Sequence, residues 1–520
     1  MFAVVFASLP DFLFGCNSKD LVAPEISVIG VPYMDAKGDG QPQQGDTSII
    51  FPHDWFHLLA THPILQDEFS EVYGTDKIEW FWNNQKADNP KMAGLVDLLR
   101  ADFKQKCIAL TLHSDGAEFQ DRDSLNTVSI GGQLYEGQVL DKHLMIASYP
   151  KSCCVPGPQG TWAVIWLWLL WSFRALLTGV HPCRDALGNM YDPDSPRGRL
   201  AGTSIMNGYF AVLWSVLGDM SEFQDGYGLA HQASTNPCHL CQCNQNNCKD
   251  FRPTAPWKNS QPTLPGSEHL IMGLITVWFF MIDMLHVFEL GITAHAVGNL
   301  LFEIVYEQLP GPRLNAFKRL WMRILDLYDE LNVPQDNRMT NLALKNFTNP
   351  QRPNKQFPLM SKLKAAESRG LVEVCEQLAR EYNTGTAAHN HRQNVFENLA
   401  KLYSVFDKAG FFLSANEFAQ ASAAMEQFQL HYNWLAKKSF ADELTKWNQV
   451  PKFHYAWHLV AASKFQNPKR TRCYGGEDFV GRISRLAHSV LGGTPAFRVA
   501  HNLFRKYVVA MHIRFSRELV

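Results

Sequence analysis

The chain is expected to fold as an α/β protein with a mainly helical C-terminal region. Three observations predict this. Short apolar runs ending on turn residues recur between 107 and 219, which is the pattern of buried strands. A long apolar stretch, 269–309, follows a Cys-rich segment. From residue 313 onward, apolar side chains recur at helical spacing. The composition, 46% hydrophobic and 19% charged, is that of a globular chain, and 520 residues exceed one ordinary domain.

In chain order, 1–105 reads as a mixed lead-in region. It holds helices at "HDWFHLLATHP" (53–63) and "MAGLVDLLRADFKQ" (92–105), and polar punctuation at 35–46. The segment 106–310 reads as a sheet-bearing core. "KCIALTLHSD" gives a strand ending at Asp115, "GQLYEGQVL" and "HLMIASYP" give further strands, and "GYFAVLWSVLGD" gives one ending on Gly218-Asp219. A Cys/Asn/Pro-rich insert occupies about 236–266. The segment 311–520 reads as helical. "RLNAFKRLWMRILDLYDEL" places apolar residues at 314, 317, 320, 321, 324, 325 and 328, one stripe of a helix, and "TNPQRPNKQFP" (348–358) is an exposed loop.

Two apolar runs resemble membrane spans. "TWAVIWLWLLWSF" (161–173) and "IMGLITVWFFMI" (271–282) are each shorter than the ~20 residues a span needs, so both are expected to be buried core and no membrane partner is expected. The apolar N-terminus, "MFAVVFASLPDFLFG", lacks a basic region and is broken by Pro10 and Asp11, unlike a secretory signal.

Charge is unevenly distributed. From Lys452 to the end there are 12 Lys/Arg and 3 Asp/Glu. This basic region suits a polyanion or, equally, a solvated helical surface. Arg470, Arg472, Arg505 and Lys506 are the candidate contacts to such a polyanion.

The acids and cysteines form an ordered set. Asp115 ends one strand-like run and Asp219 another; Cys238-x-x-Cys241 follows, then Asp283-x-x-His286, Glu303 and Glu307. Carboxylates at strand ends suit hard cations such as Mg²⁺, and two such ions ~3.5–4 Å apart promote phosphodiester chemistry. Taken singly, Asp before Gly is equally a turn residue, and Glu303 with Glu307 equally a solvated stripe. The Cys-x-x-Cys pair supplies two zinc thiolates, with His286, His295, Cys243 or Cys248 in reach as partners; the alternative is free thiols.

This order resembles the catalytic core of the eukaryotic cut-and-paste DDE transposases, and most of all the group containing the CACTA/Plavaka-type elements. The resemblance implies an RNase H-like mixed-sheet core with a zinc-binding insert. It implies Asp115, Asp219 and Glu303 (Glu307 as alternate) as the three catalytic acids, holding two Mg²⁺ or Mn²⁺ ions. It further implies Cys238, Cys241, His286 and Asp283 at a structural Zn²⁺ site, DNA as partner, a homo-oligomer and a nuclear location. "PKFHYAWHL" (451–459) is similar to a Pro-Lys-x-His motif found late in such proteins. No N-terminal DNA-binding domain is recognisable, so a fragment or domesticated derivative is within the expectation.

The second expectation is a non-catalytic, zinc-stabilised DNA- or protein-binding module derived from such an enzyme. The third is an unrelated structural or membrane-associated protein. The chain carries no GxxxxGK[ST], GxSxG or HExxH motif, and no small-molecule cofactor is expected.

Overall fold

The computed structural model describes residues 22–35, 40–95, 99–137, 142–262 and 274–517. The N-terminal apolar stretch read above lies outside them, as do parts of 35–46, 132–140 and 271–282. In chain order the strands are β1 (Ser27–Met34), β2 (Pro42–Ile49), β3 (Cys107–Gln120), β4 (Asp123–Gly132), β5 (Leu144–Pro150) and β6 (Phe210–Leu217). The principal helices are α1 (Pro52–Thr61), α2 (Gln66–Tyr73), α3 (Ile78–Asn83), α4 (Pro90–Leu95), α5 (Thr161–Thr178), α6 (Met220–Asp225), α7 (Leu285–Gln308), α8 (Arg313–Glu330), α9 (Ala365–Glu381), α10 (Ala387–Lys408), α11 (Ala415–Ala441), α12 (Lys452–Ala462), α13 (Tyr474–His488) and α14 (Val499–Arg517).

These elements divide into two units that are not consecutive in sequence. A sheet unit comprises residues 1–228, 265–281 and 473–520; a helical unit comprises 229–264 and 282–472. The three consecutive segments expected from sequence regroup accordingly. The Cys-rich insert belongs with the helices, and the last two helices, α13 and α14, return to the sheet. Sequence patterning reports local periodicity, and this long-range return leaves no periodic mark.

The sheet unit is built on a four-stranded mixed sheet of order β5-β4-β3-β6. The pairs β3–β4 and β4–β5 are antiparallel, and β3–β6 is parallel. Helix α5 is the crossover that a parallel return requires. It starts after Gly160 and stops at Gly179, whose φ of 73° is a left-handed cap that suits glycine. On the outer side of β6, Val216 forms an isolated parallel bridge to Phe280.

The run Cys107–Leu112 is buried without alternation, as expected of a strand covered on both faces. Each Ile or Leu in such a core contributes roughly 1.5–3 kcal/mol. Strand β3 does not end at Asp115 as expected; it continues to Gln120, because β4 pairs with it throughout. The expected strand over 132–140 is also absent where described. Gly132 closes β4 and a turn follows, while the strand over 123–132 escaped sequence reading because Ser, Asn and Gly interrupt its apolar pattern.

Helices α5 and α7 are longer than the apolar runs suggested, and both have the length and apolarity of a membrane span. Helix α7 is 94% buried inside the helical unit, and α5 is half buried, with Ile165, Leu169, Phe173 and Leu176 turned into the sheet unit's core.

Lys91, at the start of α4, is an outlier in the sheet unit's core. Its ammonium donates to the Trp214 carbonyl at 2.7 Å and lies 4.9 Å from the Trp214 ring centroid. Burial pushes its pKa down to about 7. The folded state therefore binds fewer protons than the unfolded one between about pH 7 and 10.5, and stability rises with pH across that window. Below pH 7 the full desolvation penalty applies. Lys91→Met is accordingly expected to raise the urea midpoint at pH 6 by an amount worth a few kcal/mol, with the advantage shrinking toward pH 10. Equal gains at both pH values would refute the assignment.

In the helical unit, α7 is apolar all round and runs through the core, packed by α8, α9 and α12. Helices α10 and α11 pair along their length. The first is capped by Thr386, the second by a reciprocal Ser414–Glu417 box.

Candidate metal centres

The sheet unit gathers carboxylates where β3 and β6 part. His113 on β3 and Leu217 on β6 are register partners. Asp115 and Asp219 each lie two residues further along, Asp115 still within β3 and Asp219 just past the end of β6. Their positions are fixed differently. Asp115 sits within β3, paired with Thr127 of β4, and its Oδ1 accepts the Gly116 N–H at 2.7 Å. Asp219 leaves β6 and caps α6, accepting the Glu222 N–H at 2.6 Å. Its carboxylate is thus oriented by the helix it starts.

Glu222, in the first turn of α6, reports how crowded this corner is. Burial pushes its carboxyl up to about 7, the charges of Asp115, Asp219 and Asp225 add to the rise, and a Ser114 hydrogen bond opposes it. Ser114 also bonds the Tyr227 hydroxyl at 2.8 Å on that face of β3. Strand alternation places His113 and Asp115 on the other face.

That other face is covered by α13. Gly476 lies against the His113 ring, and a Cβ there would collide with it. Further along, Ser484 donates to the Glu118 carbonyl and His488 Nδ1 lies 2.8 Å from the Phe119 carbonyl. Helix α13 therefore runs along β3 on the side of Asp115, with Glu477 in its first turn. Sequence reading passed over Glu477, although "YGGEDFV" offers a signal: paired glycines before an acid, permitting close approach of a helix to a sheet.

Glu303 belongs to the helical unit and has a different task there. Its Oε1 accepts from Lys446 Nζ at 3.0 Å and Trp447 Nε1 at 2.8 Å, and its Oε2 from Arg392 at 3.1 Å. Burial pushes its pKa up, but Lys446 and Arg392 outweigh this and hold it below the usual range. Glu307 pairs with the same Lys446 at 2.9 Å. The carboxylate expected as the third catalytic acid is in this structure the counter-ion of a fully buried Arg392. Glu303→Gln leaves that guanidinium with too little compensating charge and is expected to cost about 3–5 kcal/mol, read as a lower urea midpoint.

The second centre lies wholly in the helical unit. One donor atom from each of Cys238, Cys241, His454 and His458 falls within 4.8 Å of all the others, and all four residues are buried. Cys241 Sγ is 3.2 Å from His454 Nε2, which is 3.1 Å from His458 Nε2. The histidines are four residues apart and so share one face of α12. His454 Nδ1–H donates to the Cys248 carbonyl at 3.2 Å, which fixes the tautomer that aims Nε2 at the thiolate. Hydrogen bonds from Cys238 and Cys243 hold the Cys241 thiol well below its ordinary pKa, and both imidazoles assist. Burial pushes the Cys238 thiol up. Two cysteine sulfurs and two imidazole nitrogens so close together could hold a metal ion, and the donor types are compatible with structural zinc.

The cysteines are those the sequence nominated, while the histidines are not. His286 Nδ1 instead pairs with Asp283 Oδ2 at 2.7 Å, and Asp283 also accepts the N–H groups of Leu285 and His286, capping the start of α7. The Asp-x-x-His pair thus builds a helix start, and both residues are also among the described groups that could hold a metal ion. His295 lies beside the Phe453 ring, and burial pushes its pKa down to about 4.

Of the four candidate DNA contacts, Arg472 is committed to fully buried Glu289 at 3.2 Å, which removes it from the set. Arg470 lies over the Phe411 ring at 5.4 Å, and Lys506 reaches Ser489 Oγ at 3.1 Å. Arg505 is exposed on α14.

Compared with known proteins, the chain matches no family model and no curated protein.

Proposed function

We propose that this protein carries out metal-dependent cleavage and transfer of DNA strands, as a DDE-type transposase or a derivative of one, with an RNase H-like core in its sheet unit. One observation carries the reading: Asp115 within β3 and Asp219 just past the end of its parallel neighbour β6 bring two carboxylates to one corner of the sheet unit, near the buried Glu222. Supporting it, three antiparallel strands, a crossover helix and a fourth strand parallel to the first form the arrangement expected of an RNase H-like core.

The third acid in this reading is Glu477 and not Glu303. Helix α13 rejoins the sheet unit after the helical unit and lies on the Asp115 face of β3, whereas both oxygens of Glu303 are engaged by cations and an indole. The larger part of the helical unit, 282–472, then lies in sequence between the bridge at Phe280 and the helix bearing the last acid.

Carboxylates are the donor type that Mg²⁺ or Mn²⁺ prefers, although among the described residues Asp115 and Asp219 do not fall within a cluster of three metal-ligating groups. Bound by Asp115, Asp219 and Glu477, such ions would activate a water or a DNA 3′-hydroxyl and stabilise the leaving oxygen. The chain itself keeps Asp219 aimed through α6, holds Asp115 between paired strands, and packs His113 under Gly476. The Cys238–Cys241–His454–His458 set would hold Zn²⁺ as a closed structural site joining the Cys-rich insert to α12.

Nicking of supercoiled plasmid tests this. The full-length protein is expected to nick it with Mn²⁺ or Mg²⁺ and not with EDTA; nicking retained by Asp115→Asn overturns the reading.

A further inference from the structure

We propose that the loop between α8 and α9 is a nucleic-acid docking surface, with cations for phosphates and Phe357 for a base. From Arg338 to Ala366 the chain has six Lys/Arg and no Asp/Glu. Arg338 is paired with Asp329. The other five, Lys345, Arg352, Lys355, Lys362 and Lys364, are exposed and have no ion-pair partner among the described residues. Five unpaired like charges in one loop repel one another, which disfavours folding unless an external anion is met.

A built frame holds them. Met360 N–H donates to the Ala294 carbonyl of α7 at 3.1 Å, and Asn299 Nδ2 donates to the Pro358 carbonyl at 3.3 Å. Gly298 lets the loop backbone approach α7, since a Cβ there would lie 2.7 Å from Leu359 Cα. Phe347 and Met360 are buried beneath the loop. Ser361 Oγ donates to the Asn346 carbonyl at 3.0 Å, so the neighbouring Lys345 and Lys362 flank one closed neck. Arg352 and Lys355 bracket a tight turn closed by a 3.1 Å backbone bond. Lys362 itself is left-handed, with φ of 58°, a conformation that a non-glycine residue adopts only when its surroundings impose it. The cations are therefore presented on fixed backbone, which lowers the entropy lost on binding.

The aromatic selects the partner. Phe357 is 45% exposed in the middle of this basic loop. Phosphate contacts with an accessible ring are the combination that binds a single strand: cations track the backbone while a base stacks. An acidic membrane surface would take the same cations with Phe357 and the exposed Leu359 inserted, and the vesicle arm of the test separates it from a strand. This inference rests on the nucleic-acid reading of the protein but not on cleavage, so it is tested in the Asp115→Asn background.

The experiment is fluorescence anisotropy of that full-length protein with a labelled 30-nucleotide DNA strand across a salt series. Replacing Arg352, Lys355 and Lys362 by Gln is expected to weaken binding at least tenfold. It should also lower the slope of log affinity against log salt by about 2, at ~0.7 per phosphate contact for single strands. Phe357→Ala is expected to weaken single-strand binding about fivefold or more, from ~1–3 kcal/mol of stacking, without changing the slope. Lys355→Arg keeps the charge and should bind normally. An unchanged slope in the triple variant, or an unaffected Phe357→Ala, overturns the proposal. So does a triple variant that loses binding to phosphatidylserine vesicles while binding DNA normally.

Discussion

Asp115→Asn and Asp219→Asn are each expected to lower the Mn²⁺-dependent nicking rate about a thousandfold while leaving the melting temperature nearly unchanged. The size follows from the role. A metal-held carboxylate supports several kcal/mol of transition-state stabilisation, and each 1.36 kcal/mol is tenfold in rate. The small structural effect follows from their position at the edge of the packed core, where both are partly exposed. Glu477→Gln is expected to match them. Glu303→Gln is expected to do the reverse, unfolding at lower urea yet nicking at the native rate under folding conditions, because its carboxylate serves Arg392 and Lys446. The four variants thus separate two assignments of the third acid. If Glu303→Gln abolishes nicking in a protein still folded by circular dichroism, and Glu477→Gln does not, the assignment to α13 is lost. If all four nick normally, strand cleavage is not the function of this corner.

The two aspartates were legible in sequence because the signal was local: an apolar run that stops on an acid. At Asp115 the strand does not stop: β3 runs on to Gln120, while its parallel partner β6 ends at Leu217. Helices with strong stripes, such as Arg313–Glu330, were equally legible. What escaped depends on distant pairing. Glu477 is 258 positions beyond Asp219 and its relevance comes from α13 returning to β3. His454 and His458 stood in plain view in "PKFHYAWHL", but their partners lie more than 200 positions earlier, and the nearer His286 was a chemically sound choice. Proximity in sequence favoured it; the Asp283 cap claimed it instead.

Removing metal from the helical unit should be the larger structural event. The donors sit on a coil-rich segment, 229–264, and on α12, and around them are the Trp257 ring, 4.2 Å from His454, and a 2.6 Å bond from the Tyr455 hydroxyl to the Pro237 carbonyl. Without an ion, two thiols and two imidazoles would be buried together with few partners beyond the Cys248 carbonyl, the Leu240 N–H and Cys243, a weakly compensated polar cluster. We expect the purified protein to contain one equivalent of zinc. At free zinc about 1,000 times the dissociation constant, the bound state gains about 4 kcal/mol, so chelation should lower the melting temperature of this unit by roughly 8–16 °C. Cys241→Ala and His458→Ala should reproduce that fall and lose the zinc, whereas His286→Ala should keep it. A protein that purifies without zinc and melts identically with and without chelator would return these cysteines to the class of buried free thiols. The fall should also be separable from catalysis. Asp115→Asn should retain zinc and its full response to chelation, because its acid belongs to the sheet unit and none of the four donors does.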